Sequence, residues 1–565
     1  MFFVGRRIIL YTFLLLCILM FCTGQAKAAL VDGGSCGEDL TWTLDDKGAL
    51  IINGTGKMDV SAPWAAFSDS IRSVQISDGV SEIAQNAFSG CASLEAVRIG
   101  NGVQTIGQSA FSNCSSLKEL NLGKVLSIEA AAFKGCSALK ALTIPEGTEA
   151  LHAFCFEDCS ALETVYMPSS LKTLDIGIFS NCDAIRRVDI NDLAFWCGLS
   201  FTYSYSSPMK DGVTLYVNGE PLKELVIPEG VTSIGNYTFS NSTGLTSVTI
   251  PEGVTSIGEE AFKNCTGLTE LTIPSSVEEL KYGAFCGCSN LKELTLHEGL
   301  AVIGERAFEN CNIPELVVPS TVYSIGNVAF GGCESMMRVV FPEGLRYLGS
   351  SSFSHCKNLT EIRIPNGMIK IGRACFQFCT GIRTLIIDEG LKTLTEDAFR
   401  GCYGLETVYL PRTLDLIESS VFCYCGKLTD VYYRGTETQW DNITKSWIEN
   451  IKLTDAVKHF GYAPPGVSQA EITADQSSPG EPQTMTLTTQ SEIEATVFLA
   501  CYSSADGQLL TVESWELDAG AKDERSVTVN VGTCRRVFIL ARDDLRPLCP
   551  SIELNSNVLE AHPAP

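Results

Sequence analysis

The residues with the widest chemical range in this chain are its 24 cysteines and five histidines. Cysteines at that density could supply thiolate nucleophiles, zinc ligands or disulfides, and their spacing decides among the three. Thirteen of them stand at 91, 114, 136, 159, 182, 265, 288, 311, 333, 356, 379, 402 and 425, each three residues after a phenylalanine, and a fourteenth such position holds Ser242. Thus Cys91 follows Phe88, Cys265 follows Phe262, Cys288 follows Phe285 and Cys356 follows Phe353. A spacing of this regularity puts equivalent side chains on successive coils, about 4.8 Å apart with parallel Cβ directions, whereas a disulfide wants Cβ atoms about 3.8 Å apart and turned toward each other. The ladder therefore predicts buried free thiols that act as small apolar residues. Cys286-x-Cys288 and Cys423-x-Cys425 resemble zinc pairs in spacing but have no matched second pair and no nearby histidine. Cys501, Cys534 and Cys549 leave room for one bridge and one free thiol.

The histidines, at 152, 297, 355, 459 and 562, are scattered, no two closer than 58 residues. The chain contains no Gly-x-Ser-x-Gly elbow, no phosphate loop, no zincin helix and no sign of paired carboxylates in a cleft. The recurrent glutamate of the Pro-Glu-Gly turns (Glu146, Glu229, Glu252, Glu343) reads as exposed turn chemistry, with a divalent-ion ridge along that column as the alternative. No catalytic residue, cofactor or metal is expected, and a hydrolase with an unrecognised site is the remote reading.

The elements that must position these residues come from the same period. Phenylalanine recurs at 88, 111, 133, 156 and 179, then at 239, 262, 285, 308, 330, 353, 376, 399 and 422, every step 22 or 23 residues except one of 60. Such a period predicts a solenoid of stacked coils, each unable to bury its own apolar face alone. In the copy beginning at Val254, Leu271 and Ile273 should point inward and Thr272 outward on a strand that Pro274 ends. Val254-x-x-Ile257 should form a second extended piece, Gly258 a backbone reversal, and Glu259 to Phe262 one helical or 3-10 turn.

Different sequence flanks the array. Arg6-Arg7, the apolar run from Ile8 to Cys22 and Ala26-Lys27-Ala28 make residues 1–28 a secretory signal peptide. Cys17 and Cys22 follow bulky residues, which disfavours a lipoprotein cysteine. Removing the signal takes three cations and no acid from a chain of net charge −25, so the exported protein is strongly acidic. That acidity argues against nucleic acid and anionic membrane as partners, and no later segment is apolar enough to span a bilayer. Residues 29–68 read as a hairpin cap, 69–462 as the solenoid with a C-terminal cap from about 430, 463–482 as a linker, and 483–557 as a small β-sandwich. The irregular insert at about 190–222 is either an elongated coil with a side hairpin turning at Asn218-Gly219, or a lateral projection whose Phe201, Tyr203 and Tyr205 contact a partner.

The outward position of the main strand changes character along the array. It reads Arg98, Asn121, Thr143, Tyr166 and Asp189, then Val226, Thr249, Thr272 and Thr295, and finally Val317, Val340, Arg363, Ile386, Tyr409 and Tyr432. Three threonines suit an exposed strand and need no further explanation. Tyr166, Val317, Val340, Ile386, Tyr409 and Tyr432 are the candidate ligand contacts, because exposed apolar and aromatic side chains in one column form a patch that water disfavours. Either that stretch binds something or the C-terminal segment folds back over it.

The unit Ile-Pro-Glu-Gly-Val-Thr-Ser-Ile-Gly-x-x-Ala-Phe-x-x-Cys-x-x-Leu resembles the BspA-like class of bacterial leucine-rich repeat proteins, from about residue 70 to 433. Leu40-Thr-Trp-Thr-Leu44, Val431-Tyr-Tyr433 and Trp440 also resemble segments that flank such arrays. Departures are Ser242, the 22-residue copies ending at Phe133 and Phe330, and the lack of a recognisable wall anchor. The resemblance implies a right-handed, β-rich solenoid outside the cell or on its surface, adhesion to proteins or neighbouring cells, and no catalytic residues. The expectation is a secreted or cell-surface monomer that binds an extracellular protein through the exposed solenoid face. The alternative is a carbohydrate-binding or scaffolding accessory whose C-terminal β-domain, with Tyr502, Trp515 and Phe538, recognises a cell-surface glycan.

Overall fold

A computed structural model describes residues 28–446 and 450–461 with their side chains, and beyond them the backbone of seven strands between Gln469 and Asn555. The signal segment, most of the 463–482 linker, Cys549 and the side chains of the C-terminal domain lie outside the described residues. The chain divides into two compact units, Met1–Asp189 and Ile190–Pro565.

The first unit opens with three antiparallel strands, β1 (Leu30–Gly37), β2 (Asp39–Asp45) and β3 (Ala49–Lys57), where the sequence pattern marked only the β2–β3 hairpin. β3 then seeds both faces of the array: its first half pairs in parallel with Ser73–Ile76, and its Gly56 end pairs with Val80–Ile83. Each later coil adds one strand to each face, so Val97 sits beside Leu120 on the first sheet and Ile83 beside Ile106 on the second. Alternation does the sorting, as at Glu270–Ile273, where Leu271 and Ile273 are buried and Thr272 is exposed.

Between the sheets runs a column of stacked rings. Phe88, Phe111, Phe133, Phe156 and Phe179 are fully buried, with centroids of successive rings 4.9 to 6.1 Å apart. A flat side chain is what a coil spacing of about 4.8 Å can stack. Trp64 lies 5.1 Å from Phe88 and nearly parallel to it, and is the first rung that a search for phenylalanine alone misses. In the second unit the column runs from Phe239 to Phe422.

The expected helical turn before each phenylalanine is absent. Glu260 has φ of +48° and Asn264 +57°, and the same left-handed conformation recurs two residues before and two after the phenylalanine in coil after coil. This is why Asn and Gly fill the later position, as at Asn113, Gly135, Asn241 and Gly287. The conformation turns alternate amides toward the next coil: Glu260, Phe262 and Asn264 donate to the carbonyls of Tyr282, Ala284 and Cys286. The turn segment is thus a third hydrogen-bonded face. Gly258 also differs from expectation. Its φ is not left-handed; it is there because a Cβ would lie 2.6 Å from the Asn236 amide of the neighbouring coil.

The insert carries helix α1 (Leu193–Gly198), capped by the Asp192 carboxylate, and a hairpin, Thr214–Val217 with Glu220–Pro221, turning at left-handed Asn218 and Gly219. The Trp196 indole donates to the Thr238 carbonyl as that of Trp64 does to Ala87, so each tryptophan serves the coil of the phenylalanine that follows. The seven C-terminal strands pair as two antiparallel sheets of three and four strands. Among the described residues no helix is long and apolar enough to cross a membrane.

Candidate functional site

The thirteen cysteines of the ladder are buried, and they and the other six described cysteines are free thiols. They do more than fill space. Cys114 donates its thiol proton to the Phe88 carbonyl at 3.2 Å, Cys265 to Phe239, Cys288 to Phe262 and Cys356 to Phe330, and the pattern repeats along both units. Each bond reaches the preceding coil and satisfies a carbonyl beside the ring column. Ser242 shows the same requirement by its failure: its buried hydroxyl has no partner, because the insert occupies the place of the preceding coil. Burial pushes the Cys136, Cys333 and Cys425 thiols up to about 12, so they are neither nucleophiles nor ready ligands. Cys286 faces Glu309 while Cys288 points into the core, so this Cys-x-Cys pair diverges. No group of three or more His, Cys, Asp or Glu among the described residues is placed to hold a metal.

Several glutamates of the turns are also engaged. Glu252 accepts from the Ser275 hydroxyl and the Ser275 and Ser276 amides of the next coil, and Glu298 and Glu389 repeat the staple on Ser320–Thr321 and Arg412–Thr413. Of the four glutamates of the ridge reading, these bonds take Glu252, and Glu146 accepts from the Tyr166 hydroxyl.

The outward column of the first sheet remains. Tyr166 is half-buried, its hydroxyl 2.8 Å from Glu146, and burial with that contact pushes it up to about 12. Val317 and Val340 lie side by side, partly exposed. Ile386 corrects the expectation: it is 3% exposed and cannot meet a partner. It lies in register between Arg363 and Tyr409, and the nearby carboxylate of buried Asp388 gathers Arg363 at 2.7 Å and Arg434, two coils on, at 2.8 Å. Beyond it Tyr409 stacks on Tyr432 at 4.8 Å, and Tyr432 on His459 at 4.3 Å. His459 continues the column from the cap strand Val457–Phe460, a rung that the repeat pattern could not reveal because the cap breaks the period. Its Nε2 lies 2.9 Å from Asp430, whose carboxyl is held below the usual range by His459 and the Thr429 hydroxyl.

Thr249, Thr272 and Thr295 are exposed on their strands, as read from sequence. They line a shallow cavity of about 360 Å³ with Glu270 and Glu293. In the insert Phe201 is buried edge-on to Trp196, so only Tyr203 and Tyr205, stacked at 5.1 Å and exposed, are open to contact.

Comparison with known proteins places this geometry. Residues 65–186, 214–337 and 324–454 match the BspA type leucine rich repeat region (6 copies), and the helix of the insert, but not its hairpin, falls between the first two stretches. A leucine-rich repeat protein from Bacteroides ovatus is 23% identical over 73% of this chain and 99% of its own, with a TM-score of 0.46. One from Eubacterium ventriosum is 22% identical over 60% and 93%, with a TM-score of 0.42. A leucine rich cell surface protein from Faecalibacterium prausnitzii is 21% identical over 75% and 99%, with a TM-score of 0.29. No curated protein matches the chain. With a family match spanning more than half of its length, the chain belongs to the BspA-type leucine-rich repeat family.

Proposed function

We propose that the protein is exported and acts outside the cell as a binding or adhesion protein, taking a protein partner on the outer face of its first sheet. The observation that carries this reading is the Tyr409–Tyr432–His459 stack, three aromatic rings in a row on partly exposed positions, with the Arg363–Asp388–Arg434 cluster beside them. Aromatic centres with a charged rim are where protein interfaces concentrate their affinity. Export rests on the N-terminal signal pattern, and the binding role, as opposed to a catalytic one, on the structural employment of the thiols and turn glutamates. The two C-terminal sheets are taken as a small sandwich on a linker.

The test is a pull-down from extracellular matrix and from bacterial cell-wall polysaccharide with the whole chain, a chain ending at Tyr462, and the double variant Tyr409→Ala/Tyr432→Ala. Retention of a protein ligand by the first two, weakened about tenfold or more in the double variant, is the expected result. Unchanged retention by the double variant would sink the reading. Glycan binding lost on truncation would move recognition to the C-terminal domain.

A further inference from the structure

The second sheet carries a strip that the protein partner proposed above leaves unused. Two adjacent rows of side chains cross strands Ser324–Ile325, Tyr347–Leu348 and Lys370–Ile371. One row reads Ala301, Tyr323, Arg346, Ile369 and Lys392, its first four members linked coil to coil by amide-to-carbonyl bonds. The other reads Val302, Ser324, Tyr347, Lys370 and Thr393, with Val302, Ser324, Tyr347 and Lys370 in register. Neither row holds an acid between Glu278-Glu279 at one end and Asp415 at the other.

Tyr323, Tyr347 and Ile369 are 48%, 42% and 57% exposed. Elsewhere many cations meet an acid on the neighbouring coil, as Lys172 meets Glu149 at 2.7 Å in the corresponding row of the first unit and Lys357 meets Glu334 at 2.6 Å. Among the described residues Arg346, Lys370 and Lys392 have no such partner; Arg346 bonds only to the carbonyls of Glu343 and Leu345. The flanking acids Glu389 and Glu396 are held by other arginines, which leaves Glu343 beside the strip and Asp415 at its end, one coil beyond Lys392. With screening over about 8–10 Å, the strip is locally cationic on a chain of net charge −25.

We propose that this strip binds an acidic polysaccharide, its sugar rings lying on Tyr323 and Tyr347 and its carboxylates or sulfates meeting Arg346, Lys370 and Lys392. An acidic peptide fits less well, because peptide recognition seats anchor side chains in desolvated pockets, whereas Tyr347 stands exposed on a two-residue strand and Tyr323 and Ile369 stand exposed just before two others. A polysaccharide asks only for flat faces and charges in a row, which the coils supply at about 4.8 Å per step.

The full-length chain would be titrated with polygalacturonate, neutral dextran and poly-L-glutamate, beside Tyr323→Ala/Tyr347→Ala and Arg346→Gln/Lys370→Gln/Lys392→Gln. Polygalacturonate should bind, dextran should not, and each variant should bind polygalacturonate about tenfold or more weakly, with affinity falling as salt rises. Because the substituted residues are exposed or half-exposed, thermal unfolding of the variants should match the parent, separating lost binding from lost fold. Absence of polygalacturonate binding, or binding that both variants keep, overturns the proposal. So does equal binding of poly-L-glutamate that the tyrosine variant retains, which would make the strip a plain cation patch.

Discussion

At the scale of single residues, the cysteine ladder makes stability depend on alkaline pH. Cys136, Cys333 and Cys425 are raised from 9.0 to about 12 by burial, so between those values the folded chain keeps protons that the unfolded chain releases. The stabilisation is fully present below about pH 9 and is lost as pH rises toward 12, by about 1.4 kcal/mol per pH unit for each such thiol. Urea midpoints under reducing conditions should be level up to about pH 9 and fall steeply above it. A midpoint that stays level from about pH 9 to about pH 11 would refute this. The three-residue offset from phenylalanine made the burial of these thiols legible. Their donation to the preceding coil was not, since a hydrogen bond between residues 26 apart depends on a backbone path that residue types do not state.

At the scale of the coil, the glycines separate two roles that look alike in sequence. Gly258 abuts the backbone of the coil before it, and a Cβ there would sit 2.6 Å from Asn236, whereas a Cβ on Gly253 would meet nothing closer than the Val231 carbonyl at 3.8 Å. Gly258→Ala should therefore cost about 1–3 kcal/mol, and Gly253→Ala, whose φ is not left-handed, should be neutral or add about 0.4–1 kcal/mol by restricting the unfolded chain. A lowered denaturant midpoint for Gly258→Ala beside an unchanged or raised one for Gly253→Ala is the expected outcome; equal losses would mean that both positions serve the turn alone. The strands were readable because alternation and proline stops are local signals, as at Leu271, Ile273 and Pro274. The Glu259–Phe262 turn was misread because Glu and Ala favour helix, while inter-coil bonding holds Glu260 left-handed at φ of +48°. Ile386 was misread for a related reason: alternation places it outward, and only the Arg363–Asp388–Arg434 cluster, assembled from three coils, accompanies its burial.

At the scale of the molecule, translational repetition should make a whole coil dispensable where a fraction of one is not. Residues 254–276 span one period, and Val254 and Val277 are fully buried at the same repeat position. Excising them would bring Phe285 onto Phe239 and Cys288 onto the Phe239 carbonyl, restoring the contacts that Phe262 and Cys265 make now. The local losses are one coil's burial and the Glu252 staple on Ser275 and Ser276. Because each repeat interacts chiefly with its neighbours, stability is roughly a sum of coil and interface terms, and removing one internal pair of terms should leave the remainder intact. The shortened chain should therefore keep the far-ultraviolet spectrum of the parent and unfold with a modestly lower midpoint. Deleting only 254–264 should instead break both sheets, since strands that paired in parallel would lose register and their inward side chains would face outward. If the whole-coil deletion aggregates or unfolds as readily as the partial one, the coils are not interchangeable, and the specific pairings around this point, beginning with Asn241 on Asn264, would have to carry the stability now assigned to the repeat itself.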